Sequence, residues 1–238
     1  MRALLTIGRI VIIVFVAAVL SVVALIGIVT HKDGRWYFWA GSSWSKFALR
    51  LCGIEVRVRG GENLVRDGAY IFVTNHASMF DIPAIMSVLP RVRIMFKKEL
   101  SYVPLWGWAL RWGHHIVVDR GKGTEAVKSL NRAAEAIKKG GSVILFAEGT
   151  RTRDGKLLPF KRGAFSLAAK SGVPIVPIAI NGSFKILPKS SLDIRPSPIE
   201  LVVENPIDTS NISSRDEELA LMKRVREIIE RDYREDIP

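Results

Sequence analysis

Apolar positions along the chain follow two regimes. Residues 10–30, IVIIVFVAAVLSVVALIGIVT, are apolar with no charged side chain among them. As one α-helix they would extend about 31 Å, close to the hydrocarbon thickness of a bilayer. Beyond residue 53 the apolar residues come in short runs. The stretch 54–60, IEVRVRG, alternates apolar with charged side chains, the period of a half-exposed strand. The runs 69–75, 92–96, 116–119, 142–149, 173–180 and 199–206 read as further strands, those at 69–75 and 142–149 buried. Between them lie helical segments at 82–90, 124–140 and 164–172, with a closing amphipathic helix at 214–235.

The punctuation agrees with these elements. Pro83 suits the first turn of its helix and Pro90 stops it. Gly140-Gly141 ends the second helix and Gly172 the third. Ser214-x-x-Glu217 is a capping box at the head of the last helix, whose apolar stripe includes Leu219, Met222, Val225 and Ile229. Pro174 and Pro177 lack the N–H that a central strand needs, so 173–180 is expected at a sheet edge or a bulge. Strands alternating with helices predict one α/β domain, with a mostly parallel central sheet flanked by helices. Two parts follow: a membrane anchor and interfacial helix over 1–52, and a globular domain over 53–238.

The first part has two further features. A cleaved signal peptide is the alternative to an anchor, but its apolar core usually spans about 7–15 residues and ends at a small-residue cleavage site. Here the run is longer and stops at His31-Lys32-Asp33-Gly34-Arg35. Residues 36–51, WYFWAGSSWSKFALRL, then bring Trp36, Tyr37, Phe38, Trp39 and Trp44 close together. Such rings favour the membrane–water interface, where Lys46 and Arg50 can reach lipid phosphates; packing into a core is the other reading. One span with a surface helix and a hairpin dipping into one leaflet are equally compatible with 10–51.

Charge sharpens the picture. The net charge of +12 is uneven: 26 Lys/Arg against 11 Asp/Glu in residues 1–184, and 9 against 12 in 185–238. The basic part lies beside the membrane segment, so anionic headgroups or phosphorylated substrates are the expected partners. No zinc-finger spacing, RNP-type motif or Lys/Arg-dense arm is present, which argues against nucleic acid. The single cysteine, Cys52, excludes an intrachain disulfide and a Cys-based zinc site, and its neighbours Leu51 and Ile54 suggest a buried thiol.

Two constellations carry candidate chemistry. In TNHASMFD, 74–81, a buried strand runs into a helix, with His76 at the strand's end and Asp81 in the helix's first turn. A carboxylate on one imidazole nitrogen fixes the tautomer and leaves the other nitrogen free to take a proton. A structural histidine beside a helix-start aspartate has the same spacing. No Gly-x-Ser-x-Gly elbow supplies a protein nucleophile, so the hydroxyl to be activated is expected on a substrate. In FAEGTRT, 146–152, Glu148, Gly149, Thr150 and Arg151 combine a carboxylate, a flexible backbone, a hydroxyl and a guanidinium. Arg matches phosphate oxygens bidentately, and Arg153, Lys161 and Arg162 add positive charge. The bland alternative is a solvated turn, against which Phe146 and Phe160 bracket the charged run. Trp106, Trp108 and Trp112, with Leu105 and Leu110, suit an acyl tunnel or packing in a core or on a membrane surface equally well. His114 and His115 read as structural residues. No nucleotide-binding loop or metal cluster is apparent.

Together these residues resemble the glycerolipid acyltransferases, specifically the 1-acylglycerol-3-phosphate acyltransferases. NHASMFD matches their Asn-His-x4-Asp block. KKEL (97–100) with GHHIVVDR (113–120), then FAEGTRT, then VPIVPIAI with Pro177, resemble their second, third and fourth blocks in order, so the resemblance covers about residues 60–210. Two departures stand out: Ala147 replaces the proline before the glutamate, and Ile116-Val117-Val118 replaces a Phe-Ile-Asp-type run while keeping Asp119-Arg120. The resemblance implies a glycerol-3-phosphate acyltransferase-like fold in which His76 is the general base and Asp81 orients it. It implies that Glu148, Gly149 and Arg151, with Arg120, hold the acceptor's glycerol phosphate, Lys161 assisting and Thr150 in the same loop. The acyl donor would be acyl-CoA or acyl carrier protein, with no cofactor beyond that thioester and no metal. The acceptor would be lysophosphatidic acid, the product phosphatidic acid, and the setting the cytoplasmic face of the cell membrane. A different lyso-lipid (lyso-ornithine lipid or another lysophospholipid) or glycerol 3-phosphate as acceptor, a thioesterase-type hydrolase, and an interaction protein with a retired site remain as alternatives.

Overall fold

A computed structural model describes residues 2–237 other than 66, 67, 90, 119–122, 190 and 192. In chain order the elements are α1 (Arg2–Thr30), α2 (Arg35–Leu51), β1 (Val56–Arg59), β2 (Ile71–Thr74), α3 (Asp81–Val88), β3 (Arg93–Lys97), α4 (Trp106–Trp112), β4 (Ile116–Val118), α5 (Gly123–Lys138), β5 (Val143–Phe146), α6 (Gly163–Ser171), β6 (Ile175–Asn181), α7 (Ser183–Ile186), β7 (Ile199–Val203) and α8 (Arg215–Asp232). The strands form one seven-stranded sheet in the order β1-β7-β6-β2-β5-β3-β4. Neighbours run parallel except β6 and β7. This is the mostly parallel α/β sheet that the alternation of periods predicts.

Successive side chains of a strand point to opposite faces, and the two faces here have separate cores. Phe72, Ile144, Ile178 and Ile180 pack on the face that also holds Ile85 of α3. Ile71, Val73, Val143 and Ile175 pack on the other, with Ile137 of α5, Phe165 of α6 and Val225 of α8. Fully burying one such side chain stabilises the fold by about 1.5–3 kcal/mol. The central strands therefore tolerate apolar residues at every position, which is why they read as continuous runs.

β6 corrects the expected edge or bulge. It lies between β2 and β7 and is buried throughout. Pro177 is accommodated because its missing N–H falls where the β7 ladder stops. The β6–β7 register ends at Ile178↔Val203, and the Pro177 carbonyl accepts from the Glu204 N–H beyond it (3.0 Å). A residue's N–H and C=O point to the same side of a strand, so the pairing with β2 loses nothing.

α8 has the expected capping box: Ser214 Oγ accepts from the Glu217 N–H, and the Glu217 carboxylate accepts from the Ser214 N–H. Its buried stripe is Leu221, Val225 and Ile229, whereas Leu219 is exposed. Pro90, the expected stop of α3, lies outside the described residues.

α1 is long and apolar enough to cross a membrane, and most of it is not buried against the rest of the molecule. A four-residue turn returns the chain as α2, which packs on α1 and α3. The aromatic cluster at its start divides. Trp36 and Trp39 are exposed, while Tyr37 and Phe38 are buried against His114 and His115. Burial, above all, lowers the His115 pKa to about 3, with the charges of His114 and Arg93 adding to it. That ring is neutral and packs as an aromatic. At its other end α2 contributes Leu49 and the following Cys52 to the same core as Phe72.

Candidate active site

β2 and β5 are parallel neighbours in register, with Thr74 opposite Phe146. Their following loops therefore leave the same sheet edge side by side, where α/β folds usually place their sites. The two loops continue the pairing of the strands. The Thr74 carbonyl accepts from the Ala147 N–H (2.9 Å) and the His76 carbonyl from the Thr152 N–H (3.0 Å). Asn75 fastens the assembly to β6: its amide oxygen accepts from the Ile180 N–H (2.8 Å) and its NH2 donates to the Ile180 carbonyl (3.0 Å). The side chain thus imitates a strand neighbour, and β2 is held on both sides up to the residue before His76.

His76 and Asp81 meet as the spacing allows. Asp81 opens α3 and is fully buried. Its Oδ2 lies 2.7 Å from His76 Nδ1 and also accepts from the N–H groups of Ala77 (2.8 Å) and Ser78 (2.9 Å). A carboxylate only accepts, so Nδ1 carries the proton and Nε2 keeps its lone pair. The ring stacks on Phe146, with centroids 3.9 Å apart and planes 24° from parallel. A hydrogen bond in the plane and a ring against one face leave the imidazole little freedom. Nε2 makes no hydrogen bond to any described residue, and no Ser, Thr or Cys side chain among them bonds the ring. The site can take up a proton there without a protein nucleophile.

The second constellation is brought to the same place. Gly149 has φ +69°, a left-handed conformation that side chains other than hydrogen rarely adopt. A Cβ there would meet the Lys161 side chain at about 3.0 Å, so Lys161 lies over this turn. Gly149, Thr150 and Arg151 line the same cavity as His76. Arg151 makes no ion pair among the described residues. Glu148, expected beside the acceptor, is turned inward: it is buried, with Oε1 accepting from the His76 N–H (2.7 Å) and Oε2 from the Leu158 N–H (2.8 Å). Burial pushes its pKa above the usual range, against the lowering effect of the bonds from Leu158 and His76. Glu148 braces the histidine loop from below. Arg120 lies outside the described residues. Phe146, read in the sequence as one edge of a formed loop, supports the histidine ring as well.

Glu148→Gln tests the bracing role. An amide presents an NH2 to one of two N–H donors, leaving that donor unsatisfied at a cost of about 1–3 kcal/mol. The expected result is a melting temperature lowered by roughly 2–4 °C per kcal/mol in a chain of this size. A melting temperature unchanged from wild type would contradict it.

The cavity has a volume of about 490 Å³, within the ~300–1,000 Å³ range of small-molecule sites. Most of its wall is apolar. Leu20 and Ala24 of α1, Phe38 and Trp44 of α2, and Ile94 and Phe96 of β3 all contribute. Trp106 and Leu110 line it too, whereas Trp108 and Trp112 are exposed on the surface. The stripe is thus divided between cavity wall and exposed surface. Lys97 and Lys189 add cations to the wall. Lys189 had no motif to mark it; it lies in the segment between α7 and β7.

Residues 55–181 match the model of the Acyltransferase family. A chloroplastic 1-acyl-sn-glycerol-3-phosphate acyltransferase of Brassica napus is 38% identical over 152 residues, 63% of this chain and 44% of that protein. The 1-acyl-sn-glycerol-3-phosphate acyltransferase of Saccharomyces cerevisiae is 37% identical over 168 residues, 68% of this chain and 55% of that protein. The chain spans about half the length of these relatives. The crystal structure of the 1-acyl-sn-glycerophosphate (LPA) acyltransferase PlsC from Thermotoga maritima superposes with a TM-score of 0.84 at 30% identity, covering 97% of this chain and 94% of that one. With a histidine held by a buried carboxylate at the sheet edge, an apolar cavity beside it and these matches over the same residues, the chain belongs to the acyltransferase family.

Proposed function

We propose that the protein transfers an acyl group from a thioester, acyl-CoA or acyl carrier protein, to the sn-2 hydroxyl of 1-acylglycerol 3-phosphate, forming phosphatidic acid. The observation that carries this reading is the His76–Asp81 pair beside a largely apolar cavity that also bears Arg151, which makes no ion pair among the described residues. An apolar wall suits acyl chains, a cation suits phosphate, and a base with no protein nucleophile suits activation of a substrate hydroxyl.

His76 Nε2 accepts the sn-2 hydroxyl proton as that oxygen attacks the thioester carbonyl. Asp81 stabilises the imidazolium through Nδ1–H. Collapse of the tetrahedral intermediate breaks the C–S bond, and the proton held by His76 returns to the departing sulfur. No acyl-enzyme forms and no resident cofactor is used; the thioester is a co-substrate. Arg151, with Thr150, Gly149 and Lys161 around it and Arg120 from the neighbouring block, holds the acceptor phosphate. α1 holds the protein at the cell membrane, with the catalytic domain on the cytoplasmic face where activated acyl donors are made.

The acceptor assignment is tested with purified full-length protein in mixed micelles, supplying 1-acylglycerol 3-phosphate, a zwitterionic lysophospholipid, lyso-ornithine lipid and glycerol 3-phosphate in turn. Turnover with the first should exceed the rest. Equal turnover of the zwitterionic acceptor would remove phosphate recognition. Arg151→Lys should raise the acceptor KM about tenfold, about 1.4 kcal/mol, with a smaller change in kcat, because a point charge cannot replace a bidentate fork. An unchanged acceptor KM in initial-rate measurements would show that Arg151 does not bind the phosphate.

A further inference from the structure

Lys189 belongs to none of the four motif blocks, yet three loops place it at the site. It lies in the segment after α7, in a turn closed by the Ser191 N–H on the Pro188 carbonyl (3.0 Å). The preceding Leu187 carbonyl accepts from Ser78 Oγ (3.3 Å), which ties this segment to the loop that bears His76. Lys189 Nζ donates to Thr150 Oγ1 (3.0 Å), the neighbour of Arg151, and Lys189 borders the cavity shared by His76 and Arg151.

Among the described residues no carboxylate lies within ion-pair distance of Lys189. The nearby Asp193 is paired with Arg195 at 3.0 Å. An ammonium has three donors, of which Thr150 takes one. In accepting that bond, the Thr150 hydroxyl keeps its own hydrogen to donate. Lys189 and Arg151, neither ion-paired among the described residues, thus share the cavity wall with a hydroxyl able to donate, an arrangement that an anion with several oxygens would relieve.

We infer that Lys189 is a specificity-determining residue that, with Arg151, selects a phosphomonoester dianion over a phosphodiester in the acceptor. This rests on the acyl-transfer reading above and deepens it. A phosphomonoester carries a second negative charge above a pKa of about 6, whereas a diester carries one throughout. A second cation therefore gains most from the monoester in its doubly charged form.

The test uses full-length protein in mixed micelles with 1-oleoylglycerol 3-phosphate and, for comparison, its phosphoglycerol diester. Lys189→Ala should raise the monoester KM about tenfold or more, leave the diester KM much less changed, and affect kcat less than KM. In wild type the monoester KM should fall between about pH 5 and about pH 7.5, across the second ionisation. In Lys189→Ala that fall should flatten, and Lys189→Arg should restore most of it. A loop-bracing role alone would leave the pH dependence intact. A monoester KM equal to wild type, or a rise equal for both acceptors, would overturn the inference. Should Lys189→Ala not fold, Lys189→Gln carries the same comparison. Wild-type protein that makes no phosphatidic acid would instead overturn the acyl-transfer reading itself.

Discussion

His76→Ala is expected to lower kcat by about 10²–10⁴-fold, the usual contribution of a positioned general base. The magnitude follows from the absence of any substitute. Among the described residues no other side chain bonds the imidazole except Asp81, and Asp81 is fully buried with its Oδ2 already holding two backbone N–H groups. It cannot take over the proton. The acceptor KM should change far less, because the imidazole is not among the cations that hold the phosphate. The backbone of the loop should persist, since the His76 N–H to Glu148 bond and the His76 carbonyl to Thr152 bond do not involve the side chain. A steady-state comparison of kcat and acceptor KM, with a melting curve on the same preparation, checks all three points. A residual rate within tenfold of wild type would remove His76 from the role of base.

Asp81→Asn should be comparably severe, for a reason the geometry narrows. Oδ2 accepts three N–H groups while the buried Oδ1 has no hydrogen-bond partner. An asparagine can place its carbonyl oxygen where Oδ2 stands and its NH2 in the unpartnered position. The loop and the Nδ1–H tautomer would survive, and only the negative charge that stabilises the imidazolium would be lost. The expected outcome is kcat reduced by roughly 10²–10³-fold, with little change in melting temperature. Asp81→Ala should lower both, since it also frees the N–H groups of Ala77 and Ser78. Equal instability in the asparagine and alanine variants would mean that Asp81 acts as a structural cap.

Much of this was legible in the residues. The alternation of periods predicts the sheet and its helices because the central strands are buried on both faces and the helices packed on them on one. The capping box of α8 is purely local, so sequence suffices to find it. The pairing of His76 with Asp81 needs only one turn of chain. What escapes are features fixed by partners distant in sequence. Pro177 reads as an edge residue until the β7 ladder is seen to stop beside it. Glu148 reads as a substrate ligand until its oxygens are found on the N–H groups of His76 and Leu158. Asn75 matches a motif letter, but its work on Ile180 spans 105 positions. Beyond Trp106 and Leu110 the cavity has no sequence signal, because the rest of its wall comes from α1, α2 and the sheet together.

The central claim is that His76 activates a substrate hydroxyl and not water. It is tested most directly by measuring thiol release from an acyl thioester with and without 1-acylglycerol 3-phosphate, in wild type and His76→Ala. The account predicts release only when the acceptor is present, one thiol per phosphatidic acid formed, and near-complete loss in His76→Ala. Release at the same rate without acceptor, with free fatty acid as the product, would contradict it and make the protein a hydrolase.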